Sequence, residues 1–158
     1  MNLTEELTMQ HVSIYRVHLM KTGTFPIESK MITSPQTAVA ACRQFLLHEY
    51  GGYMPDREVL GILWLNTKNV IVGAELVSIG SLNASIVHPR EVFKSGILHN
   101  ASSFIVFHNH PSGDTRPSEE DINVTNRLSA AGELIGIELI DHIILGEDYK
   151  SLKEEGHI

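Results

Sequence analysis

The sequence predicts an α/β fold, a single domain over residues 1–158 in which helices flank a mixed β-sheet. Three observations point there. Short runs rich in β-branched and aromatic residues alternate with stretches whose apolar residues recur at helical spacing. The helical stretches carry start or stop signals of their own, such as Ser34-Pro35 and Gly136. A chain of 158 residues can also bury about two-thirds of its unfolded surface around one core, so no second domain is needed.

Residues 1–10 are polar and acidic and read as disordered or a short helix. In residues 12–20, Val12, Ile14, Val17 and Leu19 sit among Ser13, Arg16 and His18, a loose alternation that predicts a first strand before a turn at Gly23. Ser34 as N-cap and Pro35 at the first helical position open a helix. Ala38, Ala41, Phe45, Leu46 and Tyr50 form its stripe, and Gly51-Gly52 ends it. Residues 58–65 are continuously apolar after Glu58, which predicts a central strand. Asn66-Thr67-Lys68-Asn69 then turns the chain into a return strand over residues 70–81. Residues 89–101 predict a second helix with Pro89 early, Glu91 in the first turn and Val92, Phe93, Ile97 and Leu98 apolar. Residues 101–108 predict a buried strand. A turn-rich loop leads to a third helix from Ser118 to about Leu134, with Ile122, Val124, Leu128 and Ala131 at helical spacing. After the break at Gly136, residues 137–145 predict a last strand, and residues 148–152 begin a polar tail.

Composition narrows the function. Apolar residues at 42% and charged residues at 20% are the proportions of a soluble globular protein. A net charge of -7 gives no footprint for phosphate binding, so nucleic acid as a partner finds no support in charge. Neither a membrane span nor a secretory leader is visible, which predicts a cytoplasmic protein with no membrane partner. Oligomeric state is not encoded in any pattern. The single cysteine, Cys42, lies in a predicted helix and reads as a small buried residue.

Chemistry concentrates between Phe107 and Asp121. His108 and His110 are two apart at the end of a predicted strand, so they face the same way and can converge. Asp121 falls in the first turn of the next helix, where a carboxylate could complete a set of metal ligands. Two histidines and one carboxylate leave a position open, as in catalytic zinc sites, where a bound water has its pKa lowered toward about 7. Such a water needs a base. Glu58 is preferred, because it heads a strongly apolar strand, whereas Asp114, Glu119 and Glu120 occupy flexible or solvent-facing positions. Plainer readings stand beside these. The H-x-H pair could be core histidines, Ser118 with Asp121 also fits a capping box, and Glu58 could be an ordinary strand start. The remaining histidines, including His142 in the pair Asp141-His142, read as structural or solvated.

His108, His110, Ser118 and Asp121, with seven residues between His110 and Ser118, resemble the JAMM motif of the JAB/MPN metalloprotease superfamily. The run from His108 to Asp114, with Val87-His88-Pro89-Arg90 before it and Asp141-His142-Ile143-Ile144 after it, resembles the RadC family over roughly residues 34–155. The resemblance implies a JAB/MPN-like mixed sheet flanked by helices, a cytidine-deaminase-like α-β sandwich. It implies that His108, His110 and Asp121 bind Zn2+, that Glu58 acts as general base, and that Ser118 stabilises an oxyanion. The implied reaction is hydrolysis of a peptide or isopeptide-type amide bond in a peptide or protein substrate. Other readings are a non-catalytic module for protein or DNA partners, linked to DNA repair or mobile elements, and a metal-dependent nuclease. Full-length relatives of this type resemble a fusion with an N-terminal helix-hairpin-helix segment. No such pattern occurs in the residues before the first predicted helix, so that segment is not expected here.

Overall fold

A computed structural model describes residues 9–80 and 87–158. Among the described residues the elements run α1 (Pro35–Glu49), β1 (Val59–Leu65), β2 (Ile71–Ile79), α2 (Pro89–Leu98), β3 (Ser103–Asn109), α3 (Glu119–Ile135), β4 (Glu138–Leu145) and β5 (Tyr149–Ser151). The strands form one sheet in the order β2-β1-β3-β4-β5. Only β3 and β4 are parallel, joined by the crossover through α3; the other neighbours are antiparallel. The sheet is therefore mixed, as the sequence predicts.

Strand alternation splits the core into two layers. Val59, Leu63, Leu65, Ile105 and Phe107 face α1, where they meet Ala38, Cys42, Phe45 and Leu46. Leu60, Ile62, Trp64, Phe104 and Val106 face the other way, onto Val92 and Phe93 of α2 and Val124 and Leu128 of α3. All seven residues of β1 are buried, which is why its sequence is unbroken apolar rather than alternating. Each such leucine or isoleucine contributes about 1.5–3 kcal/mol relative to leaving it exposed. Gly61 is required where it stands, because the ring of Phe107 fills the space that a Cβ would need.

The helix signals act as read. Ser34 caps α1, its hydroxyl accepting from Thr37 N at 3.2 Å. Gly136, at φ 84°, takes the left-handed conformation that ends α3 and donates its N–H to Gly132 O. Asn69, at φ 56°, closes the β1–β2 hairpin, where Asn66 Oδ1 accepts from Lys68 N and Val70 N.

Two predicted elements differ. Residues 12–20 form no strand, and Val12, Ile14, Tyr15, Val17 and Met20 are exposed. Alternation makes a strand only when a neighbouring edge accepts it. The edge beside the start of β2 is occupied by Lys30 to Ile32, which bond to Asn69 and Ile71. At the other end, the expected polar tail pairs with β4 as β5 and brings Leu152 into the core. The second helix stops at Leu98 rather than 101, and the last predicted residue of the return strand, Ser81, lies outside the described residues, as do residues 1–8.

Candidate metal centre

Two elements meet at the site. β3 carries His108 near its C-terminal end and His110 just beyond it, with His110 N donating to Leu145 O at 2.7 Å. A loop over residues 111–117 returns the chain to the N-terminus of α3, where Ser118 is N-cap and Asp121 stands in the first turn. His108 Nε2 lies 2.9 Å from His110 Nε2. Asp121 Oδ1 is 3.1 Å from His108 Nε2, and Oδ2 is 3.4 Å from His110 Nε2. One ligand atom from each of the three falls within 4.8 Å of the others, a group able to hold a metal ion.

The chemistry of this set suits a cation. His110 Nδ1 contacts the carbonyl of Asp114 at 2.6 Å, and a carbonyl only accepts, so that nitrogen carries the proton. A ring that carries its one proton on Nδ1 presents the lone pair of Nε2 to the focus. Facing it is an anion. Its carboxylate accepts from Ser118 N at 2.7 Å, a hydrogen bond that favours the charged form of Asp121 against the effect of burial. A bare imidazole nitrogen and a carboxylate converging in a buried place are stabilised by a positive ion between them.

The capping reading of Ser118 also holds. Ser118 Oγ accepts from Asp121 N at 3.1 Å while Asp121 Oδ2 accepts from Ser118 N at 2.7 Å. The cap uses one lone pair of Ser118 Oγ and leaves the hydroxyl proton available to donate elsewhere.

Glu58 stands outside the close group, at the head of β1. Leu60 pairs with His108, and continuing this antiparallel register by two residues sets Glu58 opposite His110 and on the same face of the sheet as Leu60. Its backbone is clamped by Asn109. Asn109 Oδ1 accepts from Val59 N at 2.9 Å, and Nδ2 donates to Pro55 O and Arg57 O. Asp114 is engaged elsewhere: hydrogen bonds from Arg116 pull its carboxyl down to about 2. Glu119 and Glu120 are exposed.

Three residues around the site were not singled out by spacing. Asn109 is one. The others, Thr125 and His142, are fully buried behind His108, with His108 Nδ1 2.8 Å from His142 Nε2 and His142 Nδ1 2.6 Å from Thr125 Oγ1. His142 is thus no incidental core histidine. Burial, then the neighbouring His108, lowers its pKa well below the ordinary value, so it is neutral. The signal available was the pair Asp141-His142 in a strand, but its side of the sheet depends on an irregularity that sequence does not display.

The family model described as RadC-like JAB domain matches residues 32–157. A UPF0758 protein of Clostridium acetobutylicum is 50% identical over 130 residues, covering 82% of this chain and 54% of that protein. Another, of Halalkalibacterium halodurans, is 61% identical over 97 residues, covering 61% of this chain and 42% of that protein. A third, of Methanosarcina acetivorans, is 61% identical over 97 residues, with the same coverage of 61% and 42%. The chain spans about half the length of the curated relatives it matches. None of these names states an activity. No helix among the described residues is long and apolar enough to cross a membrane.

Proposed function

The chain belongs to the RadC-like JAB domain family, and from that premise we propose that it is a zinc-dependent hydrolase acting on peptide or isopeptide-type amide bonds. The observation that carries the proposal is the convergence of His108, His110 and Asp121 within 4.8 Å at the C-terminal end of a buried strand. Two histidines and one carboxylate are the ligand set of an open catalytic zinc rather than a closed structural one. A bound zinc ion would supply Lewis acidity at the amide carbonyl and lower the pKa of water at the open position.

The chain's own residues complete the reaction. Glu58, its backbone held from both sides by Asn109, takes a proton from the attacking water as its oxygen bonds to the carbonyl carbon. The same carboxyl returns that proton to the nitrogen as the C–N bond breaks. Ser118, exposed at the N-terminus of α3, donates a hydrogen bond from its hydroxyl to the developing oxyanion. A peptide or protein substrate agrees with the net charge of -7, which supports neither a nuclease nor a DNA scaffold. The lone cysteine, Cys42, is free and buried, which supports a cytoplasmic setting.

One observation favours a second reading, a non-catalytic interaction module: the reciprocal cap between Ser118 and Asp121 accounts for both residues without chemistry. One experiment separates the two. Elemental analysis of the purified chain should give about one zinc per chain and none in His108→Ala. Glu58→Gln should keep the metal and lose cleavage of a peptide library. Absence of zinc in the parent after loading and dialysis leaves the interaction module; retained cleavage in Glu58→Gln removes Glu58 as the base.

A further inference from the structure

Thr125 lies one turn beyond Asp121 on α3, with its hydroxyl between two partners. Oγ1 is 2.7 Å from Asp121 O and 2.6 Å from His142 Nδ1, and both Thr125 and His142 are 0% exposed, so water does not compete for these contacts. The direction of each hydrogen bond follows from what each atom can do. The carbonyl of Asp121 only accepts, so Thr125 donates its single hydroxyl proton there. Its oxygen then accepts from His142, which places the His142 proton on Nδ1 and leaves Nε2 with a lone pair. That lone pair accepts from His108 Nδ1 at 2.8 Å. His108 is left with a bare Nε2 directed at Asp121 Oδ1 and His110 Nε2, the focus of the ligand group. The reverse direction leaves two oxygens 2.7 Å apart with no proton between them.

We propose that Thr125 and His142 form a directional hydrogen-bond chain that fixes His108 in the tautomer whose Nε2 lone pair faces the metal position. This rests on the metal reading above. Both are positioning residues, since neither touches substrate or ion. The chain also ties the two ligand-bearing elements together, because Thr125 belongs to the helix of Asp121 and His142 to the strand beside His108. A second residue that sets the tautomer of a metal-binding histidine commonly changes affinity by about 10–100-fold when lost.

Thr125→Val keeps the branched shape and removes the hydroxyl. His142 Nδ1 then has no acceptor, so its proton moves to Nε2, is donated to His108 Nδ1, and forces the His108 proton onto Nε2, where a cation would sit. Zinc affinity, measured by competition with a chromogenic chelator, should fall about 10–100-fold in Thr125→Val and return in Thr125→Ser. Long-range 1H–15N correlation spectra of the metal-free proteins should place the His108 proton on Nδ1 in the parent and in Thr125→Ser, and on Nε2 in Thr125→Val. Equal affinity and the same His108 tautomer in parent and Thr125→Val would overturn the chain while leaving the metal site standing. A parent that binds no zinc would overturn the metal reading, and the tautomer spectra would still decide the hydrogen-bond chain alone.

Discussion

Asn109 sits between the two histidines in sequence and points to the opposite side of the sheet from His108, because side chains alternate along a strand. It is 3% exposed, and its amide makes three hydrogen bonds to the segment that carries Glu58. Asn109→Ala would leave Val59 N and two carbonyls without these partners, at a cost of about 1–3 kcal/mol in a denaturant titration. His108, His110 and Asp121 stay in place, so on the proposed metal site zinc content should match the parent. Amide cleavage should fall by about 10²-fold, since a displacement of about 1 Å in a base has that effect. Loss of zinc together with activity would show instead that Asn109 holds the ligand strand itself. The grouping of His108, His110 and Asp121 was visible in the sequence because its geometry is local: two positions at the end of one strand and one in the first turn of the next helix. Asn109, Thr125 and His142 were not, because their partners are set by pairing between distant segments.

The clearest case at the level of elements is β4. Phe104 pairs with Leu139 and Ile105 with Asp141, so Ile140 is an extra residue, a bulge in the ladder. The bulge reverses the alternation after it. Leu139 and His142, three apart, both face α2 and α3, and Asp141 is turned to the side of α1 and Cys42. Plain alternation from Leu139 would have aimed Asp141 at the site and His142 away from it, and nothing in the residue types betrays the insertion. By contrast, helix caps and the continuously apolar β1 depend on neighbouring residues alone and were readable, whereas residues 12–20 alternate without an edge to join. Turned inward, Asp141 accepts from Ser151 Oγ, Lys153 N and His142 N, tying β5 to β4. Burial nevertheless raises its pKa above the ordinary aspartate value, these hydrogen bonds offsetting only part of the effect. Between the ordinary value and the raised native one, the native state binds more protons than the unfolded state. The contribution of Asp141 is therefore largest below that window and is lost as pH rises through it. Asparagine does not titrate and lacks one acceptor, so Asp141→Asn should be less stable than the parent at about pH 4 by about 1–3 kcal/mol. The deficit should shrink toward about pH 7. Urea titrations at both values test this, and a deficit that grows with pH would reverse the assigned direction of the shift.

For the whole molecule, the site lies where the parallel pair β3–β4 and the crossover helix α3 meet the head of β1, with both core layers beneath it. His108, His110 and Asp121 come from two elements that only the folded sheet brings together, so an ion bound to all three would bind the native state and not the unfolded chain. Linkage then requires a gain in stability with ion concentration. At zinc about 100-fold above its dissociation constant the gain is about 2.7 kcal/mol. For a chain of 158 residues that corresponds to a rise of roughly 5–10 °C in the melting temperature. Scanning calorimetry with zinc, and again after a chelator, should show the rise and its reversal, and Asp121→Ala should show neither. Magnesium at the same concentration should give a smaller shift, because imidazole nitrogen suits zinc better than a cation that prefers oxygen ligands. A melting temperature indifferent to zinc would mean that three converging ligand atoms in a buried place are held by protons alone, and the hydrolytic reading would fall with the metal.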